Sequence, residues 1–83
     1  MTLLYFAWVR QKIGKSEEVL SLPPAVADVA ALMAHLKSLG ANYEDAFADA
    51  SRIRVAVNQH HGGFDVPVAD GDEVAFFPPV TGG

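Results

Sequence analysis

The residues best suited to chemistry stand at the end of the chain, where Gly82 and Gly83 close the sequence. Glycine has no Cβ atom, so such an end can pass through a narrow channel and bring its carboxylate close to another protein's catalytic groups. An unhindered carboxylate suits ATP-dependent activation to a mixed anhydride, after which a sulfur nucleophile can replace the nucleotide and leave a thiocarboxylate. Terminal glycines are also common in tails without function, so this interpretation depends on the rest of the chain.

A stiff spacer precedes the two glycines. Pro78 and Pro79 follow Phe77, and proline rings fix φ and favour an extended chain. We therefore predict one folded domain over residues 1–79 and a flexible tail of the same domain over residues 80–83.

The sequence favours neither a metal site nor a nucleotide site within this chain. It has no cysteine, which excludes thiolate metal ligands. His60 and His61 are adjacent, so in a strand they would point to opposite faces, and we interpret them as loop residues. Gly62 and Gly63 lack the lysine and the spacing of a phosphate-binding loop. We expect no cofactor on this chain, and we expect any ATP to be used by a partner.

Length and charge narrow the class of protein further. A chain of 83 residues has room for one small core and no deep cleft between domains. The net charge of −4 comes without a lysine and arginine cluster, which argues against nucleic acid as a partner. The apolar start of the chain is too short to span a bilayer and does not resemble a secretory signal. We expect a soluble, cytoplasmic protein that does not bind membranes.

The N-terminal third predicts a β-hairpin. Residues 3–9 are a run of large apolar and aromatic side chains with high strand propensity, and Gly14 suits a turn. Residues 17–22 form a second short strand in this prediction, which Pro23 and Pro24 would end.

Helical spacing follows the hairpin. Asp28 is a suitable N-cap, and Gly40 would end the helix. The apolar residues of this segment form one stripe that would face a sheet: Val29, Leu32, Met33 and Leu36. A second, shorter helix is predicted over residues 42–50.

The C-terminal half predicts strands. Residues 53–58 alternate between apolar and polar side chains, which indicates a half-buried strand. A polar turn over residues 59–63 and a short bridging strand over residues 64–68 would follow. A tight turn over residues 70–72 would then lead into the last strand, residues 73–77.

This order of elements is typical of an α+β fold of the β-grasp, or ubiquitin-like, type. In that fold the first and last strands pair side by side in a mixed sheet, and the main helix covers one face. Both of these strands carry apolar side chains on both faces: Leu3, Tyr5, Ala7 and Val9 oppose Leu4, Phe6 and Trp8 on the first strand, and Val74 and Phe76 oppose Ala75 and Phe77 on the last. Only one side can meet the helix, so the uncovered face should expose an aromatic docking patch, on which we place Phe77.

The end of the chain resembles the closing motif of one family, the small subunits of molybdopterin synthase, also called MoaD. Residues 71–83 read GDEVAFFPPVTGG, and the resemblance extends to YFAWVR at residues 5–10 and to AVNQ at residues 56–59. It therefore covers the whole chain.

The resemblance implies a non-catalytic sulfur carrier. An E1-like activating enzyme would use ATP to adenylate Gly83, which would then become a thiocarboxylate. Thr81, Gly82 and Gly83 would enter the large subunit of the synthase. There the thiocarboxylate would give its sulfur to cyclic pyranopterin monophosphate, also called precursor Z, to build the molybdopterin dithiolene. The family assembles as a heterotetramer of two large and two small subunits.

The resemblance also implies which residues contact partners: Phe77, Phe6, Arg10, Pro78, Pro79 and Val80. One departure from the family concerns residues 60–63, where relatives often place a larger apolar residue at a partner surface.

Three alternatives stay open at this stage. A related carrier could deliver sulfur for thiamine synthesis or for tRNA thiolation. A ubiquitin-like modifier would instead form isopeptide bonds with lysines. A plain interaction module would carry a tail without chemical function.

Overall fold

A computed structural model describes residues 1–79, and a five-stranded mixed sheet is its central feature. The strand order is β2-β1-β5-β3-β4. β1 and β5 run parallel to each other, whereas the other neighbours are antiparallel. The predicted β-grasp arrangement, with the first and last strands side by side, is confirmed. The strands are β1 (Thr2–Tyr5), β2 (Glu17–Val19), β3 (Arg54–Val57), β4 (His60–Gly62) and β5 (Glu73–Phe77).

Within residues 1–79, three α-helices accompany the sheet: α1 (Ala7–Ile13), α2 (Val29–Lys37) and α3 (Ala41–Ala46). The N-cap prediction is confirmed, because the Asp28 carboxylate accepts a hydrogen bond of 2.8 Å from the Ala31 N–H. The four apolar residues of the predicted stripe on α2 are all buried. α2 ends at Lys37, earlier than predicted, and Gly40 instead precedes α3 as its N-cap.

The predicted first strand, residues 3–9, is wrong beyond Tyr5, because α1 begins at Ala7. Val9 and Ile13 lie four residues apart and are both buried, which is the helical spacing that the aromatic run concealed. Gly14 adopts the left-handed conformation at φ 91°, and its N–H donates to the Arg10 carbonyl at 2.8 Å. Gly14 therefore ends a helix instead of turning a hairpin.

Two other boundaries also differ from the prediction. The second strand covers only Glu17–Val19, and the second helix covers only Ala41–Ala46, before a short 3₁₀ turn at Ala50–Arg52. Each predicted element exists but is shorter.

The predicted turn over residues 59–63 and strand over residues 64–68 are wrong. Asn58 and Gln59 both have positive φ and form a two-residue turn, so the strand begins at once as β4. Beyond β4, residues 64–68 form one isolated bridge, between Pro67 and Asp28, and backbone hydrogen bonds to residues 27–30 at the start of α2.

The core lies between the sheet and the helices. Phe76 of β5 is fully buried and meets Phe47 edge to face, with ring centres 4.9 Å apart. Leu32 and Leu36 of α2 are also fully buried. The side of the sheet that faces α2 is therefore closed.

A polar cluster joins β1, β2 and α3 at one side of this core. The hydroxyl groups of Tyr5 and Tyr43 each donate to one carboxylate oxygen of Glu18 at 2.7 Å, and Lys15 donates to the other oxygen at 3.1 Å. Partial burial alone would raise the pKa of Glu18, but the three hydrogen bonds outweigh it and lower that pKa. Burial, with the bond to Glu18, raises the pKa of Tyr5.

Replacing Glu18 with alanine should therefore destabilise the protein. Two tyrosine hydroxyl groups lose their shared acceptor, so we expect the free energy of unfolding to fall by roughly 2–4 kcal/mol. Urea unfolding followed by circular dichroism measures this change.

The matched control is Glu17→Ala, because Glu17 is the adjacent, exposed glutamate. This change should stay within about 0.5 kcal/mol. The folded-state pKa of Glu18 lies below its ordinary value of 4.5, so its contribution is complete above that pH and is lost as the pH falls through the folded pKa. Equal losses of unfolding free energy in the Glu18→Ala and Glu17→Ala variants would contradict this role. A difference between the wild type and Glu18→Ala that stays the same in acid would also contradict it.

Candidate functional site

The tail leaves the domain at an edge that the sheet topology defines. Because β1 and β5 are parallel, both end at the same edge, and the Phe6 N–H donates to the Phe76 carbonyl at 3.1 Å. We call Phe77, Pro78 and Pro79, the last described residues, the tail root. All three are half-buried. Val80, Thr81, Gly82 and Gly83 lie outside the described residues, so the structure does not test the predictions made for them.

Phe77 lies on the face of the sheet that points away from α2. Along β5 the side chains alternate, with Val74 and Phe76 fully buried and Glu73, Ala75 and Phe77 half-buried. The sequence alternation thus predicts the direction of Phe77 correctly.

We call this outward side the open face. The strand register places small and apolar side chains there in one row, in which Leu4 pairs with Ala75 and Ala75 pairs with Ala56. Phe77 stands next to this row, and its register partner on β3 is Arg54. An apolar strip therefore leads across the open face toward the tail root.

Phe6 and Trp8, which the predicted first strand places on one side, have different positions. Phe6 lies at the tail root edge and keeps 49% of its surface exposed, as the patch requires. Trp8 belongs to α1 instead of a strand and packs against the core, with the Arg52 guanidinium 5.3 Å from its ring centre. The prediction that Trp8 shares one side of the first strand with Phe6 is wrong because the chain turns into α1 after Phe6.

Arg10 lies one helical turn after Phe6. Its N–H bonds to the Phe6 carbonyl at 3.4 Å, and its side chain is exposed. The structure thus gathers four of the predicted contact residues, Phe6, Phe77, Pro78 and Pro79, at one edge, with Arg10 beside them.

His60 and His61 both belong to β4, so their interpretation as loop residues is wrong. His61 pairs in register with Ala56, which places it on the open face, and its ring meets that of Phe77 edge to face at 5.2 Å. His61 is a contact of the tail root that sequence reasoning missed. Only the strand register reveals it.

The described residues hold no group of three or more histidine, aspartate or glutamate residues that could bind a metal ion. None of the helices in this part of the chain is long and apolar enough to cross a membrane. The open face with the tail root is an apolar, partly exposed surface that suits docking to another protein.

Comparisons with known proteins agree with this geometry. The family model described as "ThiS family" matches residues 3–83. The chain is 44% identical over 82 residues to the molybdopterin synthase sulfur carrier subunit of Escherichia coli, a match that covers 98% of this chain and 96% of that protein.

Solved structures share the fold. A Pyrococcus furiosus chain described as a candidate molybdopterin converting factor subunit 1 has a TM-score of 0.76 at 33% identity, over 95% of both chains. Small archaeal modifier protein 1 of H. volcanii has a TM-score of 0.77 at 26% identity, over 96% of this chain and 97% of its own.

Proposed function

This chain belongs to the ThiS family, and we propose that it is the sulfur carrier subunit of a molybdopterin synthase. The observation that carries this proposal is the full-length match to the E. coli carrier subunit. The tail root at an exposed aromatic edge supports it, because a carrier must dock on a partner and extend its end into that partner's site.

The proposed chemistry takes place on the carboxylate of Gly83. That carboxylate attacks the α-phosphorus of ATP and releases pyrophosphate, which gives an acyl adenylate. Sulfide-level sulfur then attacks the acyl carbon, the bond to AMP breaks, and a thiocarboxylate remains. The thiocarboxylate gives its sulfur to cyclic pyranopterin monophosphate on the way to the dithiolene, and water restores the ordinary carboxylate.

The proposal divides the work between this chain and its partners. An E1-like enzyme binds ATP and activates the tail, and the large synthase subunit supplies the catalytic groups for sulfur transfer. This chain is non-catalytic: Phe6 and Phe77 dock, Pro78 and Pro79 hold the tail away from the domain, and residues 80–83 enter the partner. Two carriers and two large subunits would form a heterotetramer in the cytoplasm.

Intact mass spectrometry tests the carrier role. After incubation with the activating enzyme, ATP and a sulfur donor, the chain should gain the mass difference between one sulfur and one oxygen atom, and fragmentation should map the change to Gly83. An unchanged mass beside an activating enzyme that modifies a known carrier would refute the proposal.

The shared fold with small archaeal modifier protein 1 favours one alternative, a ubiquitin-like modifier. A modifier would appear in cells as conjugates to lysine residues. Reconstitution of the thiocarboxylate form with the large subunit and cyclic pyranopterin monophosphate separates the molybdopterin role from carriers that serve thiamine or tRNA, because only the former should form the dithiolene.

A further inference from the structure

The contact between His61 and Phe77 joins two strands that are not neighbours in the sheet. His61 belongs to β4 and Phe77 to β5, and β3 lies between them. Adjacent strands lie about 4.8 Å apart, so the two backbones are separated by roughly 10 Å. The ring centres are nevertheless 5.2 Å apart, and the ring planes meet at 63°. Both side chains therefore lean across β3 toward each other.

Ala56 of β3 makes this contact sterically possible. It pairs in register with His61 and is diagonal to Phe77, because its own partner on β5 is Ala75. Its methyl group leaves the space above β3 open, whereas a long side chain at this position would separate the two rings. Ala56 is only 7% exposed although it faces outward and lies outside the core cluster, which agrees with a cover formed by the two rings.

The other neighbours of Phe77 on the open face hold its ring less closely. Ala75 precedes it on the same face of β5 and has only a methyl group. Arg54, its register partner, has its Nη1 atom bonded to two backbone carbonyl oxygens of its own segment, at 3.2 Å and 3.4 Å. Phe6 is 49% exposed, and within residues 1–79 the one aromatic pair that includes Phe77 is formed with His61. His61 is therefore the side chain that restricts the orientation of Phe77.

The orientation of Phe77 in the free chain affects how tightly it can dock. A half-buried side chain that samples several rotamers loses that freedom when it enters a partner's pocket, and the loss opposes binding. An edge-to-face contact with a second ring selects one orientation before binding. The loss of freedom then occurs during folding, and docking becomes more favourable.

We infer that His61 is a positioning residue for docking, whose ring holds Phe77 in the rotamer that binds the large synthase subunit. His61 acts through Phe77, which makes the contact with the partner. This inference rests on the proposed function, because it takes the large subunit as the partner. It extends the candidate site from the tail root to the edge strand β4.

Nuclear magnetic resonance of the free chain tests the contact without a partner. The Hα–Hβ couplings of Phe77 should indicate one χ1 rotamer in the wild type and an average over rotamers in His61→Ala. His61→Phe should restore the single rotamer, because a phenyl ring can make the same edge-to-face contact. Averaged couplings in the wild type, or couplings in His61→Ala that equal those of the wild type, would overturn the inference.

The matched control is His60→Ala. His60 is the adjacent histidine of the same strand, and its register partner is Val57, whose side chain is buried on the other face of the sheet. Its replacement should leave the couplings of Phe77 unchanged. Equal averaging in His60→Ala and His61→Ala would indicate a general loosening of β4 and would also overturn the inference.

Titration calorimetry with the large subunit measures the consequence for docking. His61→Ala should weaken binding by about 3-fold to 10-fold, the factor expected for the ordering of one side chain. His61→Phe and His60→Ala should each bind no more than about 2-fold more weakly than the wild type. In the Phe77→Ala background, His61→Ala should cause no further loss, because no ring is left to hold.

The two measurements separate this inference from the proposed function. An equal loss of affinity from His61→Ala in the wild-type and Phe77→Ala backgrounds would show that His61 does not act through Phe77, and it would overturn the inference alone. A folded wild-type chain that does not bind the large subunit would refute the proposed function, whereas the couplings of Phe77 in the free chain would still decide whether His61 positions its ring.

Discussion

One additional residue after Gly83 should abolish sulfur transfer while leaving the fold unchanged. The extra peptide bond converts the carboxylate of Gly83 into an amide, which cannot be adenylated, and the new terminus lies too far along the chain to replace it. We expect thiocarboxylate formation and dithiolene synthesis to fall to background. Intact mass and a synthase assay measure the loss, and the free energy of unfolding should match that of the wild type.

The best control for this extension is the same chain after trimming. A protease site placed directly after Gly83 allows the added residues to be removed, which should restore activity. An extended chain that transfers sulfur while mass spectrometry shows it untrimmed would refute a mechanism at the terminal carboxylate.

Replacing Phe77 with alanine should weaken binding to the large subunit by about 30-fold to 1,000-fold. Aromatic side chains at the centre of an interface contribute about 2–4 kcal/mol, and Phe77 lies on the open face beside the tail root. Because Phe77 is only half-buried in the free chain, its loss should reduce the free energy of unfolding by about 1 kcal/mol. Titration calorimetry and urea unfolding measure the two quantities.

The neighbouring residue provides the matched control. Phe76 has the same side chain but is 0% exposed and packs against Phe47, so Phe76→Ala should reduce the free energy of unfolding by about 3–5 kcal/mol. If Phe77→Ala lost as much stability as Phe76→Ala, Phe77 would belong to the core and not to a docking surface.

Long, regular patterns predicted the fold well. The apolar stripe of α2 repeats over two turns after a suitable cap, and the alternation of β5 follows a tight turn with Gly71 at φ 95°. In both α2 and β5, the local conformational preference and the burial of apolar side chains favour the same structure. The type of each element and the direction of its buried side chains therefore follow from the residues alone.

Short or conflicting patterns failed. The run from residue 3 to residue 9 has strand propensity throughout, yet Val9 and Ile13 gain burial only when the chain turns into α1. β4 has three exposed residues, so no apolar alternation marks it, and its position depends on pairing with β3.

The candidate site also has one feature that a local sequence pattern predicts and others that it does not. The outward direction of Phe77 follows from alternation along one strand. Its contact with His61 and its opposition to Arg54 require the register of β5 against β3 and β4, from which β5 is distant along the chain, and no local pattern contains that register.

The central position of β5 fixes the point from which the last residues of the chain extend. β5 is hydrogen-bonded on both sides, by β1 and by β3, so the point at which the tail leaves is held rigidly against the open face. Six residues follow Phe77, and a fully extended chain of six residues spans at most about 20–22 Å. Under the proposed function, in which Gly83 carries the reaction, a partner that binds Phe77 must place its reacting centre within that distance of Phe77.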